Sequence, residues 1–249
     1  QGYSSAASDV YKRQGKCYYF DKNGKMLTDT WVDNDYVDLS GAWIQDAVKP
    51  HWVKTGNKWW YRHMDGSYTR SGWELIDGKW YHFDSKGWME TGWIKLSGKW
   101  YYLNGSGAMQ TGWEKVSGKW YYLDGSGVMQ TGWEKVSGKW YYLDGSGVMQ
   151  TGWKKVSGKW YYLDGSGVMQ TGCKKVSGKW YYLDKFNGDM KTGWLKLEDK
   201  WYYLNGSGVM AANQWVGNYY LKSNGEMAVD EWVDNGKYYV DESGKWMKM

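Results

Sequence analysis

Proline and phenylalanine are nearly missing from this chain. Its 249 residues hold 1 Pro and 3 Phe, against 22 Trp, 24 Tyr and 35 Gly. The single proline excludes a proline-rich disordered linker. An ordinary core would use Phe beside Leu, Ile and Val. Trp and Tyr instead pair an apolar face with a polar handle and are favoured where one side stays wet. Long apolar runs are absent as well, so no segment reads as a membrane span. The first residues, Gln1 to Gln14, lack the apolar stretch of a signal peptide; if the protein is secreted, its signal is expected upstream. The mean hydropathy of −0.79 predicts a soluble chain.

Cysteine is scarce. Cys17 (in CYYF) and Cys173 (in TGCKKV) each stand where the recurring pattern elsewhere has Trp. They lie many repeats apart, and a disulfide needs Cα atoms within ~7 Å, so both are expected unpaired. Histidine occurs three times, at His51, His63 and His82, without metal-ligand spacing. No Ser/His/Asp or Cys/His constellation stands out. The carboxylates recur as turn residues and form no isolated pair suited to glycoside hydrolysis. The sequence therefore predicts no catalytic centre, no metal and no cofactor. The net charge of +5 is spread along the chain. That gives mild attraction to polyanions such as phosphate polymers but no argument for nucleic acid.

What is present is repetition. Five near-copies run from Gly92 to Leu183, one of them TGWEKVSGKWYYLDGSGVMQ from Thr131 to Gln150. A fixed period of that length marks a repeat array. The GW tryptophan falls at Trp73, Trp93, Trp113, Trp133 and Trp153, is replaced by Cys173, and returns at Trp194. Looser marks at Trp31, Trp52, Trp215 and Trp232 predict degenerate terminal units. The expected organisation is a non-repeat flanking segment over 1–14, degenerate repeats over 15–72, regular repeats over 73–193, and divergent repeats with a cap over 194–249.

Within a unit, Trp113-Glu114-Lys115-Val116 and Lys119-Trp120-Tyr121-Tyr122-Leu123 flank Ser117-Gly118. Two β-prone runs around such a pair predict a hairpin with a tight turn. In the simplest register Val116 faces Lys119, Lys115 faces Trp120 and Trp113 faces Tyr122. Alternation then puts Trp113, Trp120 and Tyr122 on one face, and Val116, Tyr121 and Leu123 on the other. A lone hairpin is marginal in water, so hairpins must cover one another, predicting an all-β solenoid of stacked hairpins. Asp124-Gly125-Ser126-Gly127 is expected to turn the chain; its acidic groups are too few for a calcium loop.

Stacking would place Trp113 and Trp120 of one hairpin and Tyr141 of the next around a shared crevice, with Met129 nearby. Aromatic faces attract cations, above all quaternary ammonium ions. Tyr122 and its equivalents read as structural. Met109, Met129, Met149 and Met169 divide evenly between connector packing and cage floor. Lys99, Lys119, Lys139 and Lys159 read as solvated strand positions.

The pattern GW-x₆-WYYL-x₃-G-x-M-x-TGW resembles the choline-binding repeats of Gram-positive surface proteins, from about Gly15 onward and most closely over Gly92–Leu183. The resemblance implies a left-handed superhelix of hairpins, with choline held between successive repeats by two Trp and one Tyr. It implies sites at Trp73, Trp80 and Tyr101; at Trp93, Trp100 and Tyr121; at Trp113, Trp120 and Tyr141; at Trp133, Trp140 and Tyr161; and at Trp153, Trp160 and Tyr181. A further site at Trp194 and Trp201 has Tyr219 as its candidate third wall. Trp52, Trp59 and Tyr81 would form another in a degenerate unit. The cage of Cys173, Trp180 and Tyr202 has lost a wall and is expected to be weak or empty. The implied partner is choline or phosphocholine on teichoic and lipoteichoic acids, at an extracellular, wall-associated location. Members of the family often dimerise. Two other readings stay open: a glucan- or carbohydrate-binding repeat, and the targeting part of a wall-lytic enzyme such as an amidase or lysozyme.

Overall fold

The computed structural model describes residues 9–13 and 15–248. Among them the chain forms β-hairpins and turns, with no helix long and apolar enough to cross a membrane. It divides into two compact units. One comprises residues up to Thr111 together with Gly125–Val128; the other comprises Gly112–Asp124 and Met129 onward. Each is a stack of hairpins, as the repeat period predicts.

The regular hairpin has the expected register. Gly112–Val116 pairs antiparallel with Lys119–Leu123, matching Trp113 to Tyr122, Lys115 to Trp120 and Val116 to Lys119. The same pairing recurs in the hairpins spanning 92–103, 132–143, 152–163, 172–183 and 193–204. Ser117 and Gly118 take φ of 50° and 80°. Two successive positive φ values make a type I′ turn, whose twist matches that of the strands it joins.

The 193–204 hairpin departs from this rule. Its turn is Glu198-Asp199, with φ of 47° and 66°, and no glycine. A left-handed residue with a Cβ costs roughly 1 kcal/mol. Asp199 forms an ion pair with Lys196 at 3.1 Å, but its side chain is 97 % exposed, and such pairs contribute little. Backbone relief should win. Asp199→Gly is expected to stabilise this hairpin by about 0.5–1 kcal/mol, read as slower amide exchange across 193–204. Unchanged or faster exchange would show that the ion pair outweighs the strain.

The connectors of the regular repeats are Asx-type turns. Asp144 Oδ1 accepts the N–H groups of Ser146 (2.9 Å) and Val148 (3.1 Å), while the Gly147 N–H reaches the Asp144 carbonyl at 2.8 Å. Gln150 donates to Asp144 Oδ2 at 2.8 Å. The recurring aspartate thus serves the turn. Past it, Met149 pairs with Leu143, and its N–H donates to the Trp120 carbonyl of the preceding hairpin at 2.8 Å. Backbone bonds therefore join successive repeats. The core is a column of one leucine per repeat: Leu143, Leu163 and Leu183 are fully buried, as is Leu103 in the other unit.

The ends differ from expectation. The boundary at residue 14 moves, because Asp9–Arg13 pairs with Lys16–Phe20 and Tyr11 packs edge-on against Phe20 at 5.6 Å. The rest of the expected flanking segment, residues 1–8 and 14, lies outside the described residues. Thr30–Val32, Asp35–Val37 and Trp43–Ile44 form a three-stranded sheet, as do Glu231–Val233, Tyr238–Val240 and Trp246–Met247. Cys17 and Cys173 are both free thiols.

Candidate functional site

The hairpin register fixes which side chains face the next repeat. Tyr141 points toward the hairpin before it, and its ring lies 4.8 Å from Trp113 at 62°. Trp133 meets Tyr161 at 4.9 Å and 64°, and Trp153 meets Tyr181 at 4.7 Å and 59°. In the N-terminal unit Trp73 meets Tyr101 at 5.2 Å and 63°. The first Trp also leans on its own hairpin, as Trp113 does on Tyr122 at 5.1 Å. The second Trp behaves differently. Trp80, Trp120, Trp140 and Trp160 are all about 40 % exposed, a large apolar face left open at the same place in each unit.

Two crevices show the full arrangement. One, of about 360 Å³, is lined by Trp194, Trp201, Tyr219, Met227 and Ser243. Its two indoles stand 6.4 Å apart at 84°, and Tyr219 packs 5.2 Å from Trp194. Tyr219 thus supplies the third wall although its unit is short, and this crevice of the divergent C-terminal part is as complete as the regular ones. The other, of about 500 Å³, is lined by Trp133, Trp140, Tyr161 and Met169, with Lys159, Phe186 and Asn187 at its edge.

These crevices correct the methionine assignment. Met129 does not partner Trp113 and Trp120. The methionine bonded to Trp120 is Met149, one connector later, as Met169 is to Trp140 and Met109 to Trp80. Met129 pairs with Leu123 and lodges its side chain beneath Gly147. Connector packing and crevice floor are therefore two jobs of the same methionine: Met169 lines the Trp133 crevice and also sits against Gly188.

Two features escape the spacing argument. The residue just before the connector glycine, Asn187 or Ser243, reaches the crevice from two repeats away. Its recurrence as Ser or Asn before a left-handed Gly is the only sequence signal. Lys115 and Lys135, cross-strand neighbours of Trp120 and Trp140, also hold their ammonium groups 5.8 and 5.9 Å from those rings.

The remaining expected sites vary. Trp93 and Trp100 stand 6.5 Å apart at 88°; Tyr121 belongs to the other compact unit, on Lys119–Leu123. Trp52 meets Tyr81 at 4.8 Å, but Tyr81 is buried in a cluster with Ile76, Phe83 and Ala108, against which Trp52 and Met89 pack. Trp59 is 38 % exposed, like the second Trp of the regular units. At Cys173 the missing indole leaves a cavity of about 350 Å³ whose lining includes Cys173, Trp180, Tyr202 and Met210. Burial pushes the Cys173 thiol pKa up. Burial, and then the charge of Glu226, raise that of Tyr202. Glu226 itself accepts from Lys200 at 2.6 Å, which holds its carboxyl below the usual range.

Comparison with known proteins agrees with this geometry. One choline-binding repeat family matches residues 70–111, 110–151 and 150–193, a second matches 11–43 and 209–246, and a cell wall binding repeat family matches 192–210. The chain resembles the structure of CbpJ from Streptococcus pneumoniae, with 33 % identity and a TM-score of 0.66 over 88 % of this chain and 92 % of that one. Choline binding protein F from the same organism gives 34 % identity and 0.65 over 88 % and 91 %. Two S. pneumoniae proteins named as endo-beta-N-acetylglucosaminidases are 34 % identical over 67 residues. The chain spans about a tenth of the length of these curated relatives. The stacked hairpins, their aromatic crevices and the matches along both units place this chain in the choline-binding repeat family.

Proposed function

We propose that this chain is a wall-anchoring module that binds the choline of teichoic and lipoteichoic acids, one choline per aromatic crevice and several crevices at once. The observation that carries the reading is the Trp194, Trp201, Tyr219 and Met227 crevice, three π-faces over a thioether floor. A trimethylammonium group donates no hydrogen bond and is weakly hydrated, so π-faces and an apolar floor suit it better than a carboxylate. The sites in this reading are the Trp, Trp and Tyr sets at Trp73, Trp113, Trp133, Trp153 and Trp194, each with the methionine of the later connector, and the Trp93 and Trp100 pair. The chain's role is binding. Within a longer surface protein it would tether an attached domain, such as a wall hydrolase, to the cell wall.

Each cation–π contact contributes roughly 0.5–2 kcal/mol. Three of them give a dissociation constant of order millimolar. Choline at about 50 mM should therefore fill the crevices, quench or shift tryptophan fluorescence, and stabilise the fold by roughly 2 kcal/mol per occupied site. Dextran at matched concentration should do neither. A response to dextran and none to choline would replace this reading with a glucan-binding one.

A further inference from the structure

The Cys173 crevice differs from the Trp113, Trp133 and Trp153 crevices before it at two positions that are distant in sequence and meet in space. The first is Cys173 itself, which removes an indole. The second is Leu195 on the next hairpin. Leu195 pairs with Tyr202 across its strands. The same place in the four preceding hairpins is charged: Glu114, Glu134, Lys154 and Lys174. Both changes line the one cavity. The cavity's lining also includes Tyr182 and Leu204.

The preceding repeat shows what normally fills this slot. There the Trp153 indole lies 5.1 Å from Tyr162 and 4.7 Å from Tyr181. The equivalent tyrosines at the Cys173 crevice are Tyr182 and Tyr202, and both line the cavity. Trp180, 43 % exposed, keeps the open π-face of the regular crevices. A ligand that suits this shape carries its own ring for the slot and its cation for Trp180 and Tyr202. Choline, with a hydroxyethyl arm, leaves the slot unfilled.

We propose that the Cys173 crevice is a separate site selective for quaternary ammonium ions bearing an aromatic substituent, with the ring seated where the other repeats hold their first tryptophan. It rests on the same cation recognition as the wall-anchoring reading but takes a different class of ligand. The thiol, exposed at the slot, is its reporter.

The test uses benzyltrimethylammonium and choline on the whole chain. Alkylation of Cys173 by iodoacetamide is followed by mass spectrometry, with Cys17 as the internal reference. Benzyltrimethylammonium should protect Cys173 at roughly tenfold lower concentration than choline, leaving Cys17 unaffected. Leu195→Lys, which restores a residue found in neighbouring repeats, should abolish that preference. In calorimetry, Cys173→Trp should lose the tight benzyltrimethylammonium site and gain one choline equivalent. Equal protection by the two cations, protection by neither, or an unchanged preference in Leu195→Lys would overturn the proposal. If choline perturbs no tryptophan while benzyltrimethylammonium still protects Cys173, the anchoring reading fails and this one stands. If choline fills the regular crevices and neither cation protects Cys173, this one alone fails.

Discussion

Valine in place of Gly147 is expected to cost the stack roughly 3–4 kcal/mol around one connector, the largest stability effect of a single substitution foreseen for this protein. Gly147 has φ of +79°, and a Cβ built there would lie 2.4 Å from Met129 Sδ and 2.7 Å from its Cε. The left-handed backbone costs ~1–2 kcal/mol for a residue with a side chain, and more for a β-branched one. Displacing the methionine adds overpacking of about 1–3 kcal/mol. Met129 has little room to yield, since it is also paired with Leu123. Because repeat arrays are coupled between nearest neighbours, amide exchange should rise in the hairpins 112–123 and 132–143 and little beyond 172. The crevice of Trp113, Trp120 and Tyr141 should weaken too, since Met149 follows on the same connector. Gly145 is the control. Its Cβ would meet nothing within 4 Å and its φ is not left-handed, so Gly145→Ala should stay within about 0.5 kcal/mol. Equal effects at the two glycines would mean that the methionine contact does not couple the repeats.

The hairpins were legible because their information is local. Strand alternation has a period of two, and Ser117-Gly118 sets the register, so one reading of Trp113 to Leu123 gives the faces of every regular unit. The Trp113 to Tyr141 contact follows from stacking alone. The methionine was misassigned for a physical reason. Between Leu143 and Met149 the chain makes an Asx turn, and spacing does not say which earlier hairpin the next residue meets. The answer lies in one backbone bond, from the Met149 N–H to the Trp120 carbonyl, which any sequence could make. Asn187 and Ser243 were invisible for the same reason, since they arrive from two repeats away. Leu195 was readable as a departure from Glu and Lys, but its meaning required the cavity that Cys173 opens.

Replacing Trp120, Trp140 and Trp160 together by alanine is expected to lower affinity for a choline-bearing surface by about 10²–10⁴-fold, while the melting temperature without choline hardly moves. The choice of the second tryptophan separates binding from folding. These indoles are about 40 % exposed, whereas Trp113, Trp133 and Trp153 pack against two tyrosines each. The bonds from Met149, Met169 and Met190 to Trp120, Trp140 and Trp160 use backbone carbonyls and survive truncation. Losing one π-face of three weakens a single crevice by roughly 0.5–2 kcal/mol, a few-fold to about thirtyfold. Trp120→Ala alone should therefore reduce binding modestly, because the other crevices still hold the polymer. Three lesions do more than add, since each weakened crevice also loses the high effective concentration that its bound neighbours provide. The measurement is the free choline needed to elute the protein from a quaternary-ammonium resin, compared across the single, double and triple variants. A steep fall with the number of lesions identifies multivalent anchoring. Equal elution of single and triple variants would show that one crevice does the binding, and a melting temperature falling in step with affinity would show that these tryptophans are core.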